Sequence, residues 1–380
     1  MSEKIKVLNI SNYYKPHIGG IEQVAHDISD SLLDNYEQKV ICFNSEKETR
    51  VDVVDGVEVT YVGTFAKVAS QSLSLHYSKE LNKIMKEFKP DIVVFHYPNP
   101  FVGSILTKYF KKKAFKLILW WHLDIVKQKF LKIFFEGQNK KLLKYADKIV
   151  ATSPNYVEGS PYLSINKEKC VVIPCCFNID RMAYNDSNIE ASLELKKKYE
   201  GKTILFAFGR HVPYKGLTYL IQASKLLDDS YKVLIGGKGP LTEELENEAK
   251  GDSKVEFLGK ISDDDLKNYF LASDIFCFPS ITRNEAFGIG LAEAMYYGKP
   301  AVTFTIPCSG VNWVSIHNET GLECENGNVK SYADAIKKLA SDKALREKLG
   351  AAAKERSIQN FTYEKFKENT IQLFDSLEEE

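Results

Sequence analysis

The sequence carries no excess charge of either sign: 51 Lys and Arg are offset by 51 Asp and Glu across 380 residues. That balance removes any global electrostatic argument for nucleic acid, although it can conceal a local patch. No apolar run reaches the roughly 18 residues that a membrane-spanning helix needs. Cysteine occurs seven times, at Cys42, Cys170, Cys175, Cys176, Cys277, Cys308 and Cys324, an odd number without zinc-ligand spacing. This argues against a disulfide framework and a structural metal site, and fits buried free thiols in a reducing compartment. Residues 1–10 lack the charged-then-apolar order of a secretory leader and read as a strand, so a cytoplasmic protein is expected. Neither a G-x-G-x-x-G fingerprint nor an Asp-x-Asp pair at a suitable strand end is present, which leaves dinucleotide binding weakly supported and gives no metal motif.

Apolar residues make up 44% of the chain and charged residues 27%, the proportions of a folded globular protein, and the length suits two domains. Short apolar runs alternate with longer amphipathic stretches. Strands are expected at 4–11, 39–44, 57–62, 91–96, 116–122, 148–153 and 169–173. Between the first two, Ile21, Val24, Ala25, Ile28 and Leu32 recur three and four apart, the spacing of one helix face. The pattern pauses near 174–200 and restarts with strands at 203–209, 231–236, 255–258, 274–279 and 300–304. Strand–helix alternation of this kind predicts parallel sheets covered on both faces. The expected fold class is therefore α/β, with two doubly wound Rossmann-like domains, residues 1–178 and 179–360, facing a central cleft. A last helix at 361–378 is expected to pack back on the first domain. Such sheets bind ligands outside the carboxyl ends of their strands, so functional residues should follow strands.

Four segments do. In Pro279-Ser280-Ile281-Thr282-Arg283-Asn284-Glu285-Ala286-Phe287-Gly288-Ile289-Gly290-Leu291-Ala292-Glu293, a strand end passes through a polar turn into a helix. Glu285 is placed at the helix start and Glu293 about two turns in. The amides of Phe287, Gly288 and Ile289 would lack intrahelical acceptors, a setting that favours a diphosphate. The two carboxylates could accept hydrogen bonds from sugar hydroxyls; the plainer reading is that Glu285 complements the helix dipole and Glu293 is solvated. Gly209-Arg210-His211-Val212-Pro213-Tyr214-Lys215-Gly216 sets two cations beside two glycines, again suited to a diphosphate. Gly19-Gly20 opens the first helix. His122 ends Leu119-Trp120-Trp121-His122, and could orient a donor-sugar hydroxyl or the acceptor; His96 ends a strand in the same way.

Taken together these residues resemble the retaining glycosyltransferases of family four, which have the GT-B fold. The hallmark is Glu285-x7-Glu293, and Gly209-Arg210, Lys215-Gly216 and Gly19-Gly20 match in order and spacing, so that the resemblance spans nearly the whole chain. Ala286 stands where the family often has Gly, which would narrow the pocket slightly. The resemblance implies that Glu285 faces the donor sugar and Glu293 binds the ribose hydroxyls. Arg210 and Lys215 would neutralise the leaving diphosphate, helped by the amides of Phe287, Gly288 and Ile289. Gly19 and Gly20 would approach the diphosphate or acceptor from the other domain, His122 would contact the sugar near the reacting carbon, and Gly259-Lys260 would lie along the base. Gly237-Lys238-Gly239-Pro240 would shape a nearby turn. Metal-independent transfer is implied, with no cofactor and with the departing phosphate taking the acceptor proton.

A narrower likeness, carried by residues 122–129, 151–156 and 310–314, is to bacterial transferases that build O-antigen and other surface polysaccharides, several of them similar to α-mannosyltransferases using GDP-mannose. A UDP-linked hexose or N-acetylhexosamine is the alternative donor. Residues 108–148 hold twelve lysines against Asp124, Glu136 and Asp147, interleaved with apolar residues. This face is expected either to meet an anionic inner membrane, where lipid-linked acceptors reside, or to be a solvated surface over an aromatic core. Rival readings are a non-catalytic nucleotide-sugar-binding protein, against which the full set of charged residues argues, and an NAD-dependent oxidoreductase, against which the missing fingerprint argues.

Overall fold

The structure, a computed structural model, describes residues 4–17, 19–68, 71–124 and 129–378, with the side chains of Val68 and residues 129–134 outside the description. The chain folds as two compact units. One comprises Met1–Thr152, Ser160–Ile173 and Phe366–Glu380; the other comprises Ser153–Gly159 and Pro174–Lys365.

In the first unit the strands are β1 (Lys6–Ile10), β2 (Glu37–Phe43), β3 (Arg50–Val54), β4 (Val57–Val62), β5 (Ala66–Val68), β6 (Gln71–Leu73), β7 (Ile92–Tyr97), β8 (Lys116–Trp121), β9 (Lys148–Ala151) and β10 (Cys170–Val172). Among the described residues eight of them form one sheet in the order β10-β9-β8-β7-β1-β2-β4-β3, and β5 pairs with β6 alone. The central strands are buried on both faces, with Leu8, Val93, Val94, Leu117 and Leu119 fully inaccessible, which is why they read as continuous apolar runs. The helix Gly20–Ser31 buries Val24, Ala25 and Ile28, the face that its spacing announces, and is tied to β1 by Asn9 Nδ2 donating to Ala25 O at 3.0 Å. The helix Tyr363–Glu378 buries Phe366, Leu373 and Phe374. Its Phe374 ring packs edge-on against Tyr36, whose hydroxyl donates to Asp375 and Glu378.

Three strands of this unit lie outside the sequence expectation. β3 runs antiparallel to β4 through the turn Asp55-Gly56, both residues at positive φ, the geometry of a two-residue hairpin. Its Val51 and Val53 are 61% and 67% exposed on an edge strand that also carries Arg50 and Asp52, so no buried run betrays it. The pair β5–β6 is three residues per strand, too short for a period to register.

In the second unit β11 (Thr203–Phe208), β12 (Tyr231–Gly236), β13 (Val255–Gly259), β14 (Ile275–Phe278), β15 (Ala301–Phe304) and β16 (Gly321–Cys324) form a parallel sheet ordered β13-β12-β11-β14-β15-β16. β16, absent from the expectation, is four residues long and acquires its strand character only from pairing with β15. Phe206, Phe270 and Phe276 pack with ring centroids 5.4–6.1 Å apart behind β11 and β14, contacts of a kind each adding about 0.5–1.5 kcal/mol beyond buried area. In each sheet one central strand has connections leaving in opposite directions: β1 between β2 and β7, and β11 between β12 and β14. The crevice beyond the carboxyl end of that strand is where such sheets take ligands.

Candidate functional site

Both cationic and carboxylate segments of the second unit leave the sheet at this switch point, one after β11 and one after β14. The carboxyl ends of β11, β12 and β13 are stitched edge to edge: Gly209 N donates to Gly236 O at 3.2 Å, and Gly237 N to Gly259 O at 2.7 Å. Beyond this seam Arg210 is exposed, with no ion-pair partner among the described residues, and Lys260 is exposed on the next strand end. His211 is fully buried, its Nδ1 2.9 Å from Thr242 Oγ1, and burial lowers its pKa; it is a structural histidine of the turn.

The two loops are locked to one another. Ile281 N donates to Tyr214 O at 3.0 Å, and Gly216 lies so close to Pro279 that an added Cβ would stand 2.1 Å from its carbonyl oxygen. Only glycine fits there, and the approach delivers Lys215 to Glu285. Lys215 Nζ lies 2.5 Å from Glu285 Oε2, which also accepts from Ser280 Oγ at 3.2 Å, while the ammonium sits 4.9 Å from the Phe278 ring centroid. Gly209, Arg210, Lys215, Phe278 and Ser280 line one shared depression.

The structure corrects the expected placement of both glutamates. The helix begins at Ile289, four residues after Glu285, because Gly288 at φ 96° interrupts the turn. Glu285 is therefore oriented by Ser280 and Lys215 and not by the helix dipole. Glu293 lies one turn into Ile289–Tyr296 instead of two, and is 4% exposed, so the solvated reading of it falls. The amides of Phe287, Gly288 and Ile289 have no acceptor among the described residues, as unsatisfied donors at a helix start do. The Phe287 side chain is core, packed edge-on against Phe361, and the Ala286 carbonyl accepts from Gly310 N at 3.0 Å, so these two residues offer backbone only.

Burial pushes the Glu293 carboxyl up to about 6, a rise that the adjacent Arg181 guanidinium restrains. Arg181 Nη2 donates to Glu293 Oε1, and Arg181 Nη1 donates to Asp263 Oδ1 at 3.3 Å. Sequence reading missed Arg181, which lies 112 residues from its partner in what reads as a linker. The one local signal is the Asn178 cap, which accepts from Arg181 N at 3.1 Å and starts a four-residue helix there.

In the first unit Gly19 caps the helix Gly20–Ser31 in an extended conformation, with the Glu22 carboxylate folded over the place a Cβ would take; no atom lies within 4 Å of the corresponding place on Gly20. His122 and His96 form a stacked pair, centroids 5.1 Å apart, with His96 Nδ1 2.8 Å from His122 Nε2. Burial lowers His122 to about 3 and His96 well below the ordinary value, so both rings are neutral and His122 Nδ1 is the nitrogen left for another partner. Asp124 Oδ1 accepts from Trp121 Nε1 and Ser160 Oγ, each at 2.9 Å, a structural role. Residues 125–128 of the segment 122–129 lie outside the described residues. Of the lysine-rich stretch, Lys127 and the side chains of Lys129 and Lys132 lie outside as well; Lys108, Lys111, Lys112, Lys140, Lys141 and Lys144 are exposed. Cys42, Cys175, Cys176, Cys277 and Cys324 are buried, Cys170 is half-buried, and Cys308 departs from the buried expectation by standing exposed at φ 64°.

Comparison with known proteins gives the family and the fold. Residues 18–181 match Glycosyltransferase Family 4, and residues 188–356 match Glycosyl transferases group 1. The D-rhamnosyltransferase WbpZ of Pseudomonas aeruginosa is 31% identical over 93% of this chain and 92% of its own length. The O-antigen chain mannosyltransferase C of Escherichia coli is 28% identical over 98% of this chain and 99% of its own. The solved structure of Anabaena HepE in complex with UDP and glucose has a TM-score of 0.74 at 19% identity, covering 98% of this chain and 100% of that one. With two Rossmann-like sheets and both glutamates following β14, the neighbour of the switch strand in the second, the chain belongs to the family 4 glycosyltransferases of GT-B fold.

Proposed function

We propose that this glycosyltransferase is a retaining, metal-independent hexosyltransferase of surface-polysaccharide or O-antigen synthesis. Our first choice of reaction is transfer of α-mannosyl from GDP-mannose to a glycan or lipid-linked glycan acceptor. The observation that carries the reading is the Lys215–Glu285 ion pair beside the unpaired Arg210 at the switch point of the second sheet. Breaking the anomeric C–O bond builds negative charge on the diphosphate. Arg210, Lys215 and the amides of Phe287, Gly288 and Ile289 are fixed positive sources that stabilise it, each such donor worth about 10²–10³ in rate. Glu285 accepts from a donor-sugar hydroxyl, Glu293 from the ribose, and His122 supplies a neutral imidazole for the sugar or acceptor. The acceptor oxygen bonds to the anomeric carbon on the face the phosphate leaves, and its proton passes to a phosphate oxygen. The mannosyltransferase and rhamnosyltransferase relatives support a hexose of this class and a surface glycan; the UDP complex of the structural neighbour supports the alternative UDP-linked donor. No helix among the described residues is long and apolar enough to cross a membrane. The exposed lysines of the 108–148 stretch support peripheral contact with an anionic membrane.

The test is a thermal-shift panel of UDP, GDP and ADP with their sugar conjugates, without metal, on wild type and Arg210→Ala. Binding at a hundredfold excess over Kd adds about 2.7 kcal/mol to stability. GDP is expected to raise the melting temperature and the variant to lose the shift; product anomeric configuration by NMR then reports retention. A shift with UDP alone replaces the donor assignment, and no shift with any nucleotide overturns the donor site.

A further inference from the structure

We propose that Arg181 is a positioning residue for ribose recognition: it holds the Glu293 carboxylate in one orientation and in the ionised state, leaving one oxygen open to a vicinal diol. This rests on the reading of Glu293 as the ribose ligand and goes beyond it by assigning a residue from another element.

The geometry is asymmetric across the carboxylate. Oε1 is taken by Arg181 Nη2. Oε2 has no hydrogen-bond partner among the described residues. Its opening lies over Gly290: a Cβ added at Gly290 would meet nothing within 4 Å except Glu293 Oε2 at 4.0 Å. A diol approaching there finds an acceptor whose direction is already set.

Arg181 is itself held at three points. Asn178 caps its short helix, Tyr297 Oη donates to the Met182 carbonyl at 2.6 Å, and Asp263, at the start of the helix Asp263–Ala272, takes the second guanidinium nitrogen. Tyr297 follows the helix that carries Glu293, so the positions of the guanidinium and the carboxylate are coupled through one neighbour. The Arg181 side chain is 41% exposed while the Glu293 side chain is 6% exposed. Water solvates the cation, and the cation in turn is the main compensation for a carboxylate that burial disfavours. The charged and titratable groups around Glu293 are Arg181 and Lys215, which favour its ionised form, Asp263, which opposes it, and Tyr297, which stays protonated. With Oε1 held by Arg181, an ionised Oε2 accepts from the diol; a protonated Oε2 becomes a donor and that acceptance is lost.

The experiment measures Kd for GDP and 2′-deoxy-GDP (or the UDP pair, if uridine is the base) as a function of pH, on wild type, Arg181→Gln, Arg181→Lys and Asp263→Asn. Wild type is expected to prefer the ribonucleotide about tenfold at neutral pH, the worth of one hydrogen bond to a charged group, and to lose the preference as Glu293 is protonated. Arg181→Gln moves that loss to higher pH, Arg181→Lys restores it towards wild type, and Asp263→Asn, an exposed substitution that leaves folding alone, moves it to lower pH. A preference and pH profile unchanged in Arg181→Gln, or unmoved in Asp263→Asn where the Gln variant does not fold, overturns the proposal. Wild type that binds nucleotide without any ribose preference also overturns it, whereas wild type that binds no nucleotide defeats the donor-site reading itself.

Discussion

Replacing Glu293 by Gln should stabilise the empty protein while weakening its grip on nucleotide. The carboxyl is 4% exposed, and its folded-state value of about 6 stands above the ordinary 4.5. Ionising it in the fold therefore costs about 2 kcal/mol relative to ionising it in the unfolded chain, Arg181 included. The sign follows from proton uptake. Between 4.5 and about 6 the folded form binds more protons than the unfolded one, so wild-type stability is highest below that window and is lost as pH rises through about 6. Gln has the same shape and does not titrate. The variant should match wild type near pH 4.5 and exceed it by about 2 kcal/mol near pH 8, which in a unit of roughly 200 residues is about 4–8 °C in melting temperature. Thermal unfolding of both proteins across that pH range reads it directly. Nucleotide affinity in the same buffers should fall about tenfold, since a charged acceptor is lost. A buried group that costs stability yet is needed for binding has the signature of a functional site. A Gln variant less stable at every pH, or a stability difference that does not grow with pH, would refute this account of Glu293.

Gly288→Ala should lower stability by about 1–3 kcal/mol, because φ of 96° is strained for any side chain and the new Cβ would lie 3.1 Å from the Phe278 ring; urea denaturation measures it, and an unchanged midpoint would show that the loop relaxes freely. The protein should sediment with anionic vesicles at low salt and be released at high salt, as screening of lysine–lipid attraction requires; failure to bind at low salt removes the membrane from the proposal.

Much of this protein is a property of its sequence alone. The doubly buried strands β1, β7, β8, β11 and β14 are written as apolar runs because both sheet faces are covered, and the helix face of Val24, Ala25 and Ile28 is written in its spacing. Gly209, Arg210, Lys215, Glu285 and Glu293 could be selected because the ends of parallel strands are where a ligand-binding chain must spend glycine and charge. The edge strand β3, the pair β5–β6 and β16 were not legible, since their identity lies in the partner strand and not in a local period.

The tertiary structure decided which charges meet. Local sequence suggested a helix starting at Glu285; the left-handed turn at Gly288 moved that start, and the contact of Gly216 with Pro279 gave Glu285 to Lys215 instead. For Glu293 the sequence left open both a ligand role and a solvated one; in the fold it is a buried carboxylate paired with Arg181, from a segment with no motif of its own. His96 and His122, each a lone histidine in sequence, became one stacked neutral pair through the register of β7 and β8. Periodicity reports how each element is buried. The pairing of ionised side chains depends on distances between elements, which no local pattern encodes.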